Sequence, residues 1–187
     1  MKNKKTYNFT LTLEGFVEPS EELEDALFQA NCDDAILYFR NQVGYLEFER
    51  EAESLEVSII SAIKNAETAG VRTKIARVEP ADLVTSAEIS RRLNRSRESI
   101  RLLINGARGE GNFPVPIAGV TSKTLIWSWA DVTNWFYTNK KIEDPFIVKQ
   151  AQVIREINEA LEVRNKPFAY KKINFFLTQI DEERKYA

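Results

Sequence analysis

Six arginines stand between residues 84 and 111, at positions 91, 92, 95, 97, 101 and 108, against only Glu88, Glu98 and Glu110. Their placement follows from what surrounds them. Thr85-Ser86-Ala87-Glu88 has the form of a capping box, in which the Thr and a Glu three residues on satisfy each other's orphan backbone donors. Ile89 and Leu93 make the buried stripe of a short helix. Asn94-Arg95 breaks it, since Asn can take the left-handed conformation. Ser96 then caps a second helix, from Arg97 to about Asn105, with Ile100, Leu103 and Ile104 inward. Gly106 stops it, and Ser90 is the small residue where the two helices come close.

With that core fixed, Ser96, Arg97, Glu98, Arg101 and Asn105 project outward. A helix of this kind fits the major groove of B-DNA, about 12 Å wide. Arg97 and Arg101 have the donors to bond guanine O6 and N7, Asn105 those to read adenine, and Glu98 the acceptor for cytosine N4. Arg91, Arg92, Arg95 and Arg108 are placed for phosphates, which set affinity and register rather than sequence. Three acids are too few to turn six arginines into a purely salt-bridged surface.

Gly106, Gly109 and Gly111 follow, without the Gly-Lys-Ser/Thr and leading strand that a nucleotide loop needs. Residues 113–118 and 124–129 read as two short strands around 119–123, a hairpin with Lys123 near its tip in reach of a phosphate. Pro114 and Pro116 suit an edge strand. Ser128 caps a further helix with Val132, Trp135 and Phe136 inward, so the tryptophans read as core.

Leu83-Val84-Thr85-Ser86-Ala87-Glu88-Ile89-Ser90-Arg91-Arg92-Leu93-Asn94-Arg95-Ser96-Arg97-Glu98-Ser99-Ile100 resembles bacterial helix-turn-helix regulators of the MerR/excisionase-like winged type. Phe113-Pro114-Val115-Pro116 and Leu125-Ile126-Trp127-Ser128-Trp129-Ala130-Asp131-Val132 resemble that group's wing and post-wing helix. The likeness covers residues 83–138. It departs from the family pattern at Arg95, where a small apolar residue is usual, and at Asn94, where Gly is usual. The resemblance implies sequence-specific DNA binding, commonly as a dimer.

The elements before this motif run in a different pattern. Tyr7-Asn8-Phe9-Thr10-Leu11-Thr12-Leu13 alternates as a half-buried strand does. Ser20 precedes a helix with Leu23, Ala26, Leu27 and Ala30 on one side. Residues 36–39 and 45–48 read as strands joined by a turn at 41–44. Leu55, Ile59, Ile63 and Ala66 form a helical stripe ending at Gly70, and residues 71–78 supply a fourth strand before Pro80. The order β-α-β-β-α-β is the ferredoxin-like pattern, two helices on one sheet face and the other face free. After the motif, Asp144-Pro145 opens a helix running to about Arg164. Asn165-Lys166-Pro167 breaks it, and a last helix carries Tyr170, Ile173, Phe176, Leu177 and Ile180.

The predicted class is α+β: a ferredoxin-like domain over 1–80, a winged helix-turn-helix domain over 81–140 and C-terminal dimerisation helices over 141–187. Charge divides along the same line. Residues 1–80 carry nine basic and fifteen acidic side chains, residues 81–187 seventeen and thirteen. From Glu14 to Glu56 thirteen acids face only Arg40 and Arg50. With no histidine and Cys32 as the one cysteine, a Ser-His-Asp triad, imidazole-held zinc and a Cys-x-x-Cys redox pair are all excluded. The expectation is a cytoplasmic, non-enzymatic, cofactor-free homodimer without membrane contact. It would bind double-stranded DNA to regulate transcription, in the repressing sense. The rival expectation is an antitoxin or accessory subunit whose acidic N-terminal domain binds a partner protein, with DNA binding serving autoregulation.

Overall fold

The structure, a computed structural model, describes residues 4–15, 18–70 and 73–184, without the side chains of 167–171 and 182–184. The chain divides into two compact units, Met1–Val78 with Glu156–Ala187, and Glu79–Arg155. The expected third segment, 141–187, is thus shared between them. No helix among the described residues is long and apolar enough to cross a membrane.

In the first unit, β1 (Lys5–Glu14), α1 (Glu21–Gln29), β2 (Ala35–Arg40), β3 (Val43–Ala52), α2 (Leu55–Glu67) and β4 (Lys74–Glu79) follow the expected order. They build a four-stranded antiparallel sheet ordered β2-β3-β1-β4. Alternation assigns the faces. Tyr7, Phe9, Leu11 and Leu13 of β1 are buried with Leu46 and Phe48 of β3, while Asn8, Glu47, Glu49 and Glu51 stay exposed. Helix α1 starts where the Ser20 hydroxyl accepts from the Leu23 amide, and α2 where Ser54 accepts from Val57. The bend between β2 and β3 differs from expectation. Asn41 and Gln42 alone turn the chain, both left-handed at φ 52° and 61°. Gly44 already lies in β3, where a Cβ would meet the Phe39 ring at 3.1 Å. Val71 of the expected fourth strand lies outside the described residues.

Arg50 is buried at 7% exposure. Its guanidinium donates to both Asp34 oxygens at 2.7 Å and to the Asn31 carbonyl at 2.8 Å. Burial alone would pull its pKa down, but the hydrogen bonds to Asp34 hold it above the ordinary value. The neighbouring Cys32 thiol is pushed up to about 11 by burial, with Arg50 acting in the opposite sense, so it is a packed thiol and not a reactive one.

The second unit comprises β5 (Leu83–Val84), α3 (Ser86–Arg92), α4 (Arg97–Ile104), β6 (Trp127–Ser128), α5 (Trp129–Thr138) and the start of α6 (Pro145–Asn165). Val84, Ile89, Ile100, Leu103, Trp127, Val132, Trp135 and Phe136 form one core. The expected hairpin over 113–129 is reduced. Segment 113–118 is irregular, with a single bridge to the returning chain at Ala118–Ile126, and β6 pairs with β5 instead. Pro114 and Pro116 lack the N–H groups that a longer ladder requires. Gly119 holds the loop closed, because a Cβ there would lie 2.0 Å from the Thr124 carbonyl oxygen. Helix α7 (Pro167–Arg184) ends the fold, with Ile173, Phe176, Leu177 and Ile180 exposed. The Tyr170 side chain, expected in the same stripe, lies outside the described residues.

Candidate nucleic-acid interface

The turn between α3 and α4 is built by short-range hydrogen bonding. Leu93 closes α3, and Asn94 takes φ 48°. The Arg95 amide donates to the Ser90 carbonyl at 2.9 Å, and the Ser90 hydroxyl donates to the Arg95 carbonyl. Ser90 itself is buried. The Ser96 hydroxyl accepts from the Ser99 amide and starts α4. Ile100 is fully buried and Leu103 nearly so, which locks one face of α4 against the core.

The opposite face is exposed along its length, at Arg97, Glu98, Arg101 and Asn105, and the N-cap Ser96 is exposed at the helix start. At about 100° per residue, positions 97, 98, 101 and 105 fall within one arc of about 100°. Arg97 stands in the first turn, where a helix entering the groove end-on meets base edges. Arg101 is not free: its Nη2 and Nε reach Glu98 at 2.6 and 2.8 Å. Hydrogen bonding from Arg101 holds the Glu98 carboxyl below the ordinary range. The pair is solvent-exposed, so the contact that holds Arg101 is screened and weak.

The arginines expected at phosphates divide into two groups. Arg91 is open to solvent and bridges to Glu88 at 2.6 Å. Arg108 and Lys123 are exposed, and among the described residues neither they nor Arg97 has an ion pair within 4 Å. Arg92 and Arg95 point inward instead. Arg92 bonds Glu88 at 2.9 Å and the Ala81 carbonyl at 3.2 Å, and lies over the Trp129 ring. Arg95 donates to the Lys141 carbonyl at 2.7 Å, over Phe136. Arg95 thus ties the helix turn to the chain leaving α5, a contact spanning 46 residues that spacing along the sequence does not reveal.

The capping box closes by half. The Thr85 hydroxyl accepts from the Glu88 amide, but the Glu88 carboxylate turns to Arg91 and Arg92 rather than back to the cap. Those hydrogen bonds lower the Glu88 pKa to about 2. A carboxyl held below its unfolded value of 4.5 contributes stability that is complete above that value and is lost as pH falls toward 2. Urea unfolding of the wild type is therefore expected to lose midpoint between pH 5 and pH 2. A Glu88→Gln variant should be weaker at pH 7 and lose less over the same range. Equal slopes for both would contradict the assignment.

The tryptophans add a role that sequence reading missed. The Trp127 indole donates to the Pro114 carbonyl at 3.0 Å, and the Trp135 indole to the Gly111 carbonyl at 3.1 Å. Phe113 packs among Trp127, Trp135 and Phe136. The loop base is thus pinned, while Val115, Ile117 and Val120 project to solvent at 81%, 54% and 74% exposure. The flanking prolines were the one sequence signal for this exposed segment.

The sequence matches no protein-family model, no curated protein and no solved structure.

Proposed function

We propose that this protein is a sequence-specific, double-stranded DNA-binding regulator of transcription. In this reading Glu79–Arg155 is a winged helix-turn-helix of the MerR/excisionase-like type, and the first unit is a ferredoxin-like module. The observation that carries it is the outer face of α4. Arg97, Glu98, Arg101 and Asn105 share one exposed arc on a helix whose other face is fixed in the core, with the exposed N-cap Ser96 at its entrance. Those side chains offer the donors and acceptors that base edges require. Arg91, Arg108 and Lys123 supply cations for the backbone. Arg92 and Arg95 fall out of that set, because both are engaged inside the unit.

A homodimer suits the reading, since paired half-sites call for a two-fold protein. The exposed apolar stripe of α7 supports it. Such a dimer seated over a promoter represses by occupying it.

The test is binding of the full chain to duplex DNA across a salt series. Three phosphate-reaching cations per protomer make six in a dimer, so log K against log salt should fall with a slope of about −5. Arg91→Ala should weaken all sequences alike and make the slope shallower by about one per site removed. Binding that is absent at low salt would overturn the reading.

A further inference from the structure

The two edges of the first unit's sheet are treated differently. On β4, Asn158 of α6 accepts from the Val78 amide at 2.8 Å and donates to its carbonyl at 2.9 Å. Glu67 accepts from the Ile75 amide, and Arg164 and Asn165 donate to the Ile75 carbonyl. Side chains thus occupy that edge. At β2 the Asp34 carbonyl accepts from Glu49, and the two-residue turn pairs Arg40 with Val43. Alternation then directs the backbone groups of Leu37 and Phe39 away from the sheet. Among the described residues, no hydrogen bond from another element reaches them.

A cleft of about 290 Å³ opens beside this edge, between α1 and the sheet. Leu27, Phe28, Leu37 and Leu46 line it, with Glu24 and Asp33 contributing carboxylates. Phe28 is 70% exposed there. Free strand edges with apolar clefts are where extended peptides add as a further strand, the backbone giving affinity and alternate side chains entering pockets. Charge selects the occupant. Glu21, Glu22, Glu24 and Asp25 lie on α1 and Asp33 follows, while the nearby Arg50 is consumed by Asp34. A second copy adding through its own β2 would bring the same α1 acids, with Arg40 the one base in that strand. We propose that the α1/β2 edge binds an extended, lysine- or arginine-bearing peptide segment of another protein by strand addition. This inference does not rest on the DNA reading.

The full chain would be titrated with the acetylated, amidated peptide KLKVKLK, reading affinity by fluorescence anisotropy and exchange of single backbone amides by NMR. Bound peptide should slow exchange at Leu37 and Phe39 by about tenfold or more, as new strand pairing does. Alternate backbone N-methylation, which removes the pairing but keeps the charge, should weaken binding by about tenfold. ELEVELE should not bind. The Glu24→Gln/Asp33→Asn variant should bind KLKVKLK more weakly, at an unchanged midpoint of thermal unfolding. Phe28→Ser, on an exposed position, should do the same if the double variant fails to fold. Four results would overturn the proposal: no binding, equal binding of the N-methylated or acidic peptide, protection elsewhere on the sheet, or protection of Leu37 and Phe39 that rises with protein concentration alone.

Discussion

Arg97→Ala is expected to lower affinity for the preferred DNA site by about tenfold to a hundredfold, the discrimination carried by one good bidentate contact. Non-specific binding should fall much less. Arg97 has the clearest effect because it is exposed in the first turn of α4 and, among the described residues, has no ion pair to surrender. Arg101→Ala should also relax sequence preference, by a smaller factor, because Arg101 must first leave Glu98. Gel-shift titrations against the preferred and a scrambled duplex check both. Thermal unfolding should barely move for either variant, since neither side chain enters the core. A large loss of stability in Arg97→Ala would contradict the placement.

Arg50→Ala should destabilise the first unit by about 1–3 kcal/mol, the cost of losing charge-assisted hydrogen bonds and leaving a half-buried Asp34 without its partner. Asp34 would lose both of its 2.7 Å contacts, and the Asn31 carbonyl a third. Asp34→Ala/Arg50→Ala should cost less than the two single losses together, because no charge is then left unpaired. Urea unfolding of the four proteins completes the cycle. Strict additivity would mean that the pair is not coupled.

Much of this architecture was legible in the sequence because local rules and tertiary packing agree. The alternation in β1, the stripe of α2 and the serine and threonine caps at 20, 85, 96 and 128 all act within a few residues. So does the left-handed Asn94. The outward face of α4 follows from its inward face, which is why Ser96, Arg97, Glu98, Arg101 and Asn105 were placed together.

What went unread depends on distant partners. Arg92 and Arg95 look like surface cations until Ala81, Trp129, Phe136 and Lys141 are brought to them. Arg50 reads as a stray charge in an acidic stretch until Asp34 folds beneath it. The β4 edge is closed by Asn158, 80 residues from Val78. Residues 113–118 carry strand-like residue types, yet prolines and indole contacts to the loop carbonyls leave little room for a ladder.

Selection of bound sequences from a random duplex pool, run with the wild-type chain and with Arg97→Ala in parallel, tests DNA reading most directly. The wild type should enrich an inverted repeat with half-sites about one helical turn apart. Arg97→Ala should lose preference at a defined position in each half-site. A wild-type pool that stays random at low salt, or an identical motif from both proteins, would contradict the account.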